Sequence, residues 1–249
     1  VSVTSQIISY LSTGSVIRSG SMCNAGAAGD GYYAGYINFS TRYGSVVQVI
    51  DEFVTNGGDG APFSPFLPTL RTYASNGNGA VAGLDGFCGA WKAVADAHPG
   101  TFLKAQTTVV ERVYGAVATR YAQDRGIRYG LTKAALLDIA IVNGVGGGDN
   151  TIDEIVRGAD ATYDPSVSIS SGSKIRVNGK EADEISWLVK LLSTWQHVNP
   201  AAMSHITVFL SLYTNGHFTF DSKEPFTVRG YAGSVTFDCT TGATSRRRR

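Results

Sequence analysis

Apolar residues recur at helical spacing along most of this chain. Residues 3–13 place Ile7, Ile8 and Leu11 on one face, and Gly14 is a suitable C-cap because glycine tolerates the left-handed conformation that ends helices. A second helix starts at Ser45, with Val46, Val47, Val49, Ile50, Phe53 and Val54 as its apolar face, and Gly57-Gly58 stops it. Further helical patterns run over 87–97, 100–124, 130–142, 151–160 and 181–197. Alternation at Tyr32–Phe39 predicts half of a hairpin, and alternation from Phe218 to Cys239 predicts short strands. Residues 15–30 and 74–86 are small, polar and Gly/Asn-rich, hence loops; Pro62, Pro65 and Pro68 break the chain before Leu70. The glycines between Asn143 and Asn150 lack the Lys-Ser/Thr ending of a phosphate loop and predict a flexible connection. There is no internal repeat and no succession of βα units, so the pattern predicts a mainly α (α+β) protein and excludes Rossmann and barrel architectures.

At 249 residues the chain suffices for one large domain or two lobes. Hydrophobic content of 43% and a mean hydropathy of −0.01 describe an ordinary globular protein, and no apolar run approaches the roughly 20 residues of a membrane span. Net charge is +1, but the run Arg246–Arg249 supplies four positive charges, which leaves −3 on the body. With no other basic cluster, the run reads as a disordered tail, and nucleic acid and membrane are not expected partners. Cys23, Cys88 and Cys239 allow one disulfide of open pairing and one free thiol. The start Val1-Ser2-Val3-Thr4 reads as a mature, processed end, and Asn38-Phe39-Ser40 is a glycosylation sequon. Together with the Gly, Ser, Thr and Tyr content, these features predict a secreted, extracellular protein. His98, His197, His205 and His217 form no metal-ligand spacing, and no Ser/His/Asp motif is present, so no metal or cofactor is expected.

Asp30 lies in the Gly-rich turn Gly29-Asp30-Gly31-Tyr32-Tyr33, eighteen residues after Ser12 at the end of the first helix. An aspartate in such a turn is often only a turn former. Tyr32, Tyr33 and Tyr36 suit either stacking on sugar rings or strand packing. Asp138 is flanked by apolar residues, and a buried aspartate needs a partner; Arg112 and Arg157 are the candidates. Asp51-Glu52 reads as a solvated helix face, with Glu52 a reserve catalytic carboxylate.

In order and spacing, these pieces resemble glycoside hydrolase family 46 chitosanases of the lysozyme-like superfamily. The resemblance is carried by Gly29-Asp30-Gly31-Tyr32 with Gly35, Ile37 and Phe39; by Phe87–Trp91, Ala95, Phe102, Ala105-Gln106, Glu111-Arg112-Val113-Tyr114 and Gly126; by Leu136–Gly144; and by Val208-Phe209-Leu210, Pro225-Phe226 and Arg229-Gly230-Tyr231. It extends over about residues 5–235. It implies a lysozyme-like two-lobed helical fold, with a small β-hairpin lining a central cleft. The single catalytic domain would span 1–245, with a β-containing lobe at about 15–75, a helical lobe at about 85–240 and a tail at 246–249.

The resemblance further implies an endo-acting inverting hydrolase of the β-1,4 bonds of chitosan, a monomer with a polysaccharide substrate. Asp30 takes the general-base position, and Ser12 takes the general-acid position, where the family has glutamate. The two groups of an inverting pair stand roughly 6.5–9.5 Å apart. Tyr32, Tyr33, Tyr36, Tyr114 and Asn143 take substrate-binding positions, and Asp138, Arg112 and Arg157 support the cleft. There are departures. A strand aligned without a gap puts the family aspartate on Ala28, a family threonine falls on Tyr33, a substrate-binding aspartate falls on Gly44, a histidine is Asn143, and Trp195 lies near a family arginine. A serine hydroxyl is far too weak an acid for the donor role, so the resemblance implies an impaired enzyme. The rival expectations are a glycan-binding pseudoenzyme, a hydrolase of peptidoglycan or β-glucan, and an inhibitor or structural domain that binds no saccharide.

Overall fold

A computed structural model describes residues 2–146, 148–169, 172–221, 224–231 and 233–239. The expected tail at 246–249 lies outside them. The protein is mostly helical with small antiparallel sheets, and the chain divides into two compact units, residues 17–112 and residues 1–16 with 113–249.

The unit of residues 17–112 holds the β element and the helices that back it. Strands β1 (Cys23–Ala25), β2 (Tyr32–Ala34) and β3 (Phe39–Ser40) form an antiparallel sheet in the order β1-β2-β3, with Asn24 opposite Tyr33 and Tyr33 opposite Ser40. Helix α2 (Ser45–Thr55) buries Val46, Val49, Ile50 and Phe53, and the Gly57 and Gly58 N–H groups take up its last carbonyls. Helices α3 (Leu67–Asn76), α4 (Phe87–Ala97) and α5 (Pro99–Val110) complete the unit; α3 and α5 carry proline in the first turn, where no N–H partner is needed. The core is aromatic. Trp91 meets Phe102 edge-on at 4.7 Å, Phe102 meets Phe53 at 5.1 Å, and Phe63 packs against Phe87, Trp91 and Phe102. Cys23 and Cys88 form a disulfide between β1 and α4, and Cys239 is a free thiol. The bridge closes a 65-residue loop, so its reduction is expected to cost about 2–4 kcal/mol, read from denaturant unfolding with and without reductant.

The second unit opens with α1 (Val3–Thr13), which has the bounds expected from the sequence. Its N-cap Ser2 accepts from the Ser5 N–H, and Gly14, at φ 77°, donates to the Tyr10 carbonyl at 2.8 Å. Gln6 fixes the C-terminal segment to this helix, bonding the Asp238 carbonyl at 2.6 Å and the Asp238 N–H at 2.9 Å. The single helix expected at 100–124 is instead interrupted. A π-helical turn at Glu111–Gly115 separates α5 from α6 (Ala116–Arg125); it carries Arg112 and Tyr114, and the division between the units falls inside it.

Helices α7 (Gly130–Asn143), α8 (Ile152–Thr162), α9 (Glu184–Val198) and α10 (Met203–Thr214) surround a core with Trp187, Trp195 and Phe209 fully buried. The helix expected at 181–197 begins later, because β5 (Lys180–Asp183) pairs with β4 (Lys174–Val177) and Asp183 then caps α9 through the Ser186 N–H. The expected C-terminal strands are β6 (Phe226–Gly230) and β7 (Gly233–Phe237), an antiparallel pair.

Candidate active site

Asp30 sits in a turn closed by backbone bonds from Asp30 N–H to the Ala27 carbonyl (2.9 Å) and from Gly26 N–H to the Gly31 carbonyl (2.8 Å). Gly29 (φ 87°) and Gly31 (φ 76°) supply the left-handed backbone on either side of it. The loop after α3 presses on this turn so closely that a Cβ on Gly79 would stand 1.7 Å from the Gly29 carbonyl oxygen and 2.8 Å from the Asp30 nitrogen. Arg42 locks the assembly. Its Nε donates to the Gly77 carbonyl at 2.9 Å, and its Nη1 lies 3.4 Å from both the Gly29 carbonyl and Asp30 Oδ1. The Asp30 side chain stays 37% exposed, so the carboxylate is held yet open to water and ligand.

The neighbouring tyrosines divide. Tyr33 is half-buried beside Asp30. Burial, then the Asp30 charge and Tyr43, raise its phenol, while Arg42 pulls it down. Tyr43 is 68% exposed, with the Arg42 guanidinium 5.2 Å from its ring centre, so it offers an aromatic surface. Tyr32 leans on Phe87 at 5.9 Å and donates its backbone N–H to Thr41 Oγ1. Tyr36, expected among the substrate contacts, is only 3% exposed. It packs edge-on against Phe39 beneath Arg18, and its N–H donates to Gln106 Oε1; it belongs to the core. Tyr36 points into the unit because the chain turns at Gly35 (φ 73°), which breaks the strand alternation.

In the other unit, Ser12 is half-buried one residue before the end of α1. Asp138, on α7, is fully buried as expected, but its partner is His205 on α10, with Nδ1 to Oδ2 at 2.8 Å. Neither expected arginine fills that role. Arg112 pairs with Glu52 at 2.5 Å and holds that carboxyl below its ordinary range, with help from Asn56. Arg157 lines a surface hollow on α8 with Tyr121, Arg125, Asp153, Asp160 and Asn178. The Arg112–Glu52 pair also occupies the reserve catalytic carboxylate.

Asn143, expected to touch substrate, is used internally. Its Oδ1 accepts from Trp195 Nε1 at 2.7 Å and from Asn199 at 3.5 Å, and its Nδ2 donates to the Asn150 carbonyl at 2.7 Å. Trp195 in turn meets the His205 ring edge-on at 6.0 Å. Tyr114 packs half-buried against the core of its unit. Arg42, beside Asp30, and His205, beside Asp138, are the partners the sequence reading missed. Neither stands near its partner in a recognisable motif, since Asp138 and His205 lie 67 positions apart.

Burial disfavours a charged His205, but attraction to Asp138 and the hydrogen bond between them outweigh it, so His205 keeps its proton above the ordinary histidine value of 6.5. A group raised on folding adds stability that is fully present below its unfolded value and lost as pH rises through the folded one. The melting temperature should therefore fall as pH rises from about 6 into the alkaline range, and the fall should shrink in His205→Asn. Thermal melts across pH check this.

The comparisons with known proteins meet this geometry at the Asp30 turn. The model of Glycosyl hydrolase family 46 matches residues 21–198, most of the chain and all of that turn. The chain belongs to glycosyl hydrolase family 46. A curated relative, the chitosanase of Bacillus subtilis (strain 168), is 26% identical over 129 residues, which span 52% of this chain and 46% of the relative. Among solved structures, a mutant chitosanase from Bacillus subtilis MY002 complexed with 6 GlcN superposes with a TM-score of 0.79 at 22% identity, covering 95% of this chain and 97% of that one. The family 46 chitosanase of Gynuella sunshinyii in complex with chitotetraose gives 0.77 at 23% identity, covering 94% and 95%. Within family 46, the present chain has the chitosanase fold with a serine at position 12.

Proposed function

We propose that this chain is an endo-acting, inverting glycoside hydrolase of β-1,4-linked glucosamine polymers, with Asp30 as general base and with turnover limited by Ser12 at the general-acid position. The observation that carries this reading is the Asp30 turn. It is a carboxylate fixed by Arg42 and two left-handed glycines, left open to water, inside the segment matched by the family model. In the forward reaction Asp30 takes a proton from water as the water oxygen attacks the anomeric carbon. The C1–O bond breaks, and the leaving oxygen needs a proton that a serine hydroxyl supplies poorly. The fold shared with chitosanases that hold glucosamine oligosaccharides supports the substrate class. The Cys23–Cys88 disulfide supports secretion, because such bridges persist in oxidising compartments. Digestion of glucosamine oligomers followed by NMR of the product anomers tests the reading; retention at the anomeric carbon, or cleavage only from chain ends, would sink it.

A second reading, an uncharged glycan as substrate, is favoured by the arginine partners of Asp30, Asp51 and Glu52, namely Arg42, Arg71 and Arg112. A polycation is best met by unneutralised carboxylates. A panel of chitosans of graded acetylation, peptidoglycan and β-glucan separates the two readings.

A further inference from the structure

The Arg18 guanidinium lies against the core of the unit of residues 17–112 without a carboxylate on it. Its Cζ stands 5.6 Å from the Tyr36 ring centre, its Nη1 donates to Thr107 Oγ1 at a long 3.4 Å, and its Nε is buried with no hydrogen-bond partner among the described residues. It forms no ion pair among the described residues. A buried donor left unpaired costs free energy, and on a cation the group that best relieves it is an anion. We propose that the hollow lined by Arg18, between residues 17–21 and helices α4 and α5, is a binding site for a small organic carboxylate with an apolar body. The hollow shares no residue with the Asp30 turn, so the inference does not depend on the hydrolase reading.

The hollow measures about 380 Å³, within the range of small-molecule sites, and all of its lining comes from one unit of the chain. The segment that carries Arg18 is firmly held. The Gly20 carbonyl accepts from Trp91 Nε1 at 2.8 Å and from Gln106 Nε2 at 2.9 Å, and a Cβ on Gly20 would stand only 2.9 Å from that same Gln106 nitrogen. On either side of it, the Ser19 and Ser21 hydroxyls lie 3.0 Å apart and bond each other, which leaves one hydroxyl proton for a ligand oxygen. The rest of the lining is largely apolar, with Phe102 and Leu103 on α5 and Pro99 in its first turn. Ile17, which also lines the hollow, is 74% exposed, and a ligand body seated there would take that surface out of water.

A guanidinium among apolar walls sets the chemistry of the ligand. A cation would meet the Arg18 charge, and a wholly apolar molecule would leave its N–H groups unanswered. A carboxylate matches the guanidinium in charge and in the spacing of its two oxygens. Asp96, near the end of α4, lines the same hollow and is exposed. Its charge opposes an anionic ligand, weakly because water screens it. The two charges therefore give the site a sign that a merely apolar hollow would lack. Removing Arg18 has to loosen an anion, and removing the charge of Asp96 has to tighten it.

The test titrates the full chain with three probes that share a phenyl body: phenylacetate, phenylacetamide and 2-phenylethylammonium. Amide NMR spectra give the affinity and the place of binding together. Phenylacetate is expected to bind with a Kd on the order of millimolar or tighter, and about tenfold or more tighter than the other two probes. The shifted amides should centre on residues 17–21 and 95–103. Arg18→Gln should abolish the preference for phenylacetate, and Asp96→Asn should tighten phenylacetate about two- to fivefold at low salt, with the gain shrinking in molar salt. If Arg18→Gln does not melt cooperatively, Asp96→Asn decides, since its exposed position leaves the core untouched. Equal affinity for the three probes, or tighter binding of the ammonium, overturns the proposal. So do shifts centred elsewhere, no binding of phenylacetate well above millimolar concentration, or an Asp96→Asn variant that binds it no more tightly.

Discussion

Ser12→Glu is expected to raise hydrolysis of glucosamine oligomers by about 10²–10⁴-fold, the usual worth of general-acid assistance. The position is suited to the change. Ser12 is half-buried at the end of a well-capped helix, and neither the Ser2 N-cap nor the Gly14 C-cap depends on its side chain. A glutamate there keeps good helix propensity, and thermal melts of both proteins separate chemistry from folding. Single-turnover hydrolysis with NMR of the products measures the gain and its stereochemistry. Adding Asp30→Asn to the active variant should remove that gain, because an amide cannot accept the proton of the attacking water. No gain from Ser12→Glu, with oligomer binding intact, would instead mark the chain as a glycan-binding relative.

Gly79→Ala is the second large effect expected, and it acts through position alone. The new methyl group would need the space held by the Gly29 carbonyl, whose oxygen is 1.7 Å and carbon 2.3 Å from the ideal Cβ position. Backbone atoms cannot rotate away as a side chain does, so the Asp30 turn or the loop after α3 has to move by more than an ångström. A displacement of that size at a catalytic group costs about 10²-fold in rate. Arg42 spans the two segments, so its contacts to Gly77, Gly29 and Asp30 should loosen together. Kinetics in the Ser12→Glu background should show kcat falling far more than KM changes. Unchanged kcat with a folded protein would mean that Asp30 does not sit at the reacting centre.

What could be read without coordinates was local. The helices at 3–13 and 87–97 end where the sequence says, since apolar period and glycine caps act within a few residues: α1 stops at Gly14, and α4 starts after Gly86. The hairpin at 174–183 carried a readable signal in Asn178-Gly179, whose positive φ values of 51° and 78° make the turn. Polar strands as short as Lys174–Val177 and Lys180–Asp183 hid it, and Glu181 to Asp183 passed for a first helical turn.

The turn that presents Asp30 was written in the sequence by itself, because Gly29 and Gly31 set the backbone on either side of it. The partners were not. Asp138 selects His205 from another helix 67 residues away, Arg42 reaches back to Asp30 and across to Gly77, and Cys23 finds Cys88. The fates of Tyr36, buried in a core, and Asn143, spent on Trp195, are of the same kind. Periodicity and caps fix dihedral angles over a few residues, whereas an ion pair or a buried ring depends on which distant side chain the packing brings within about 3–4 Å, and only the tertiary structure decides that.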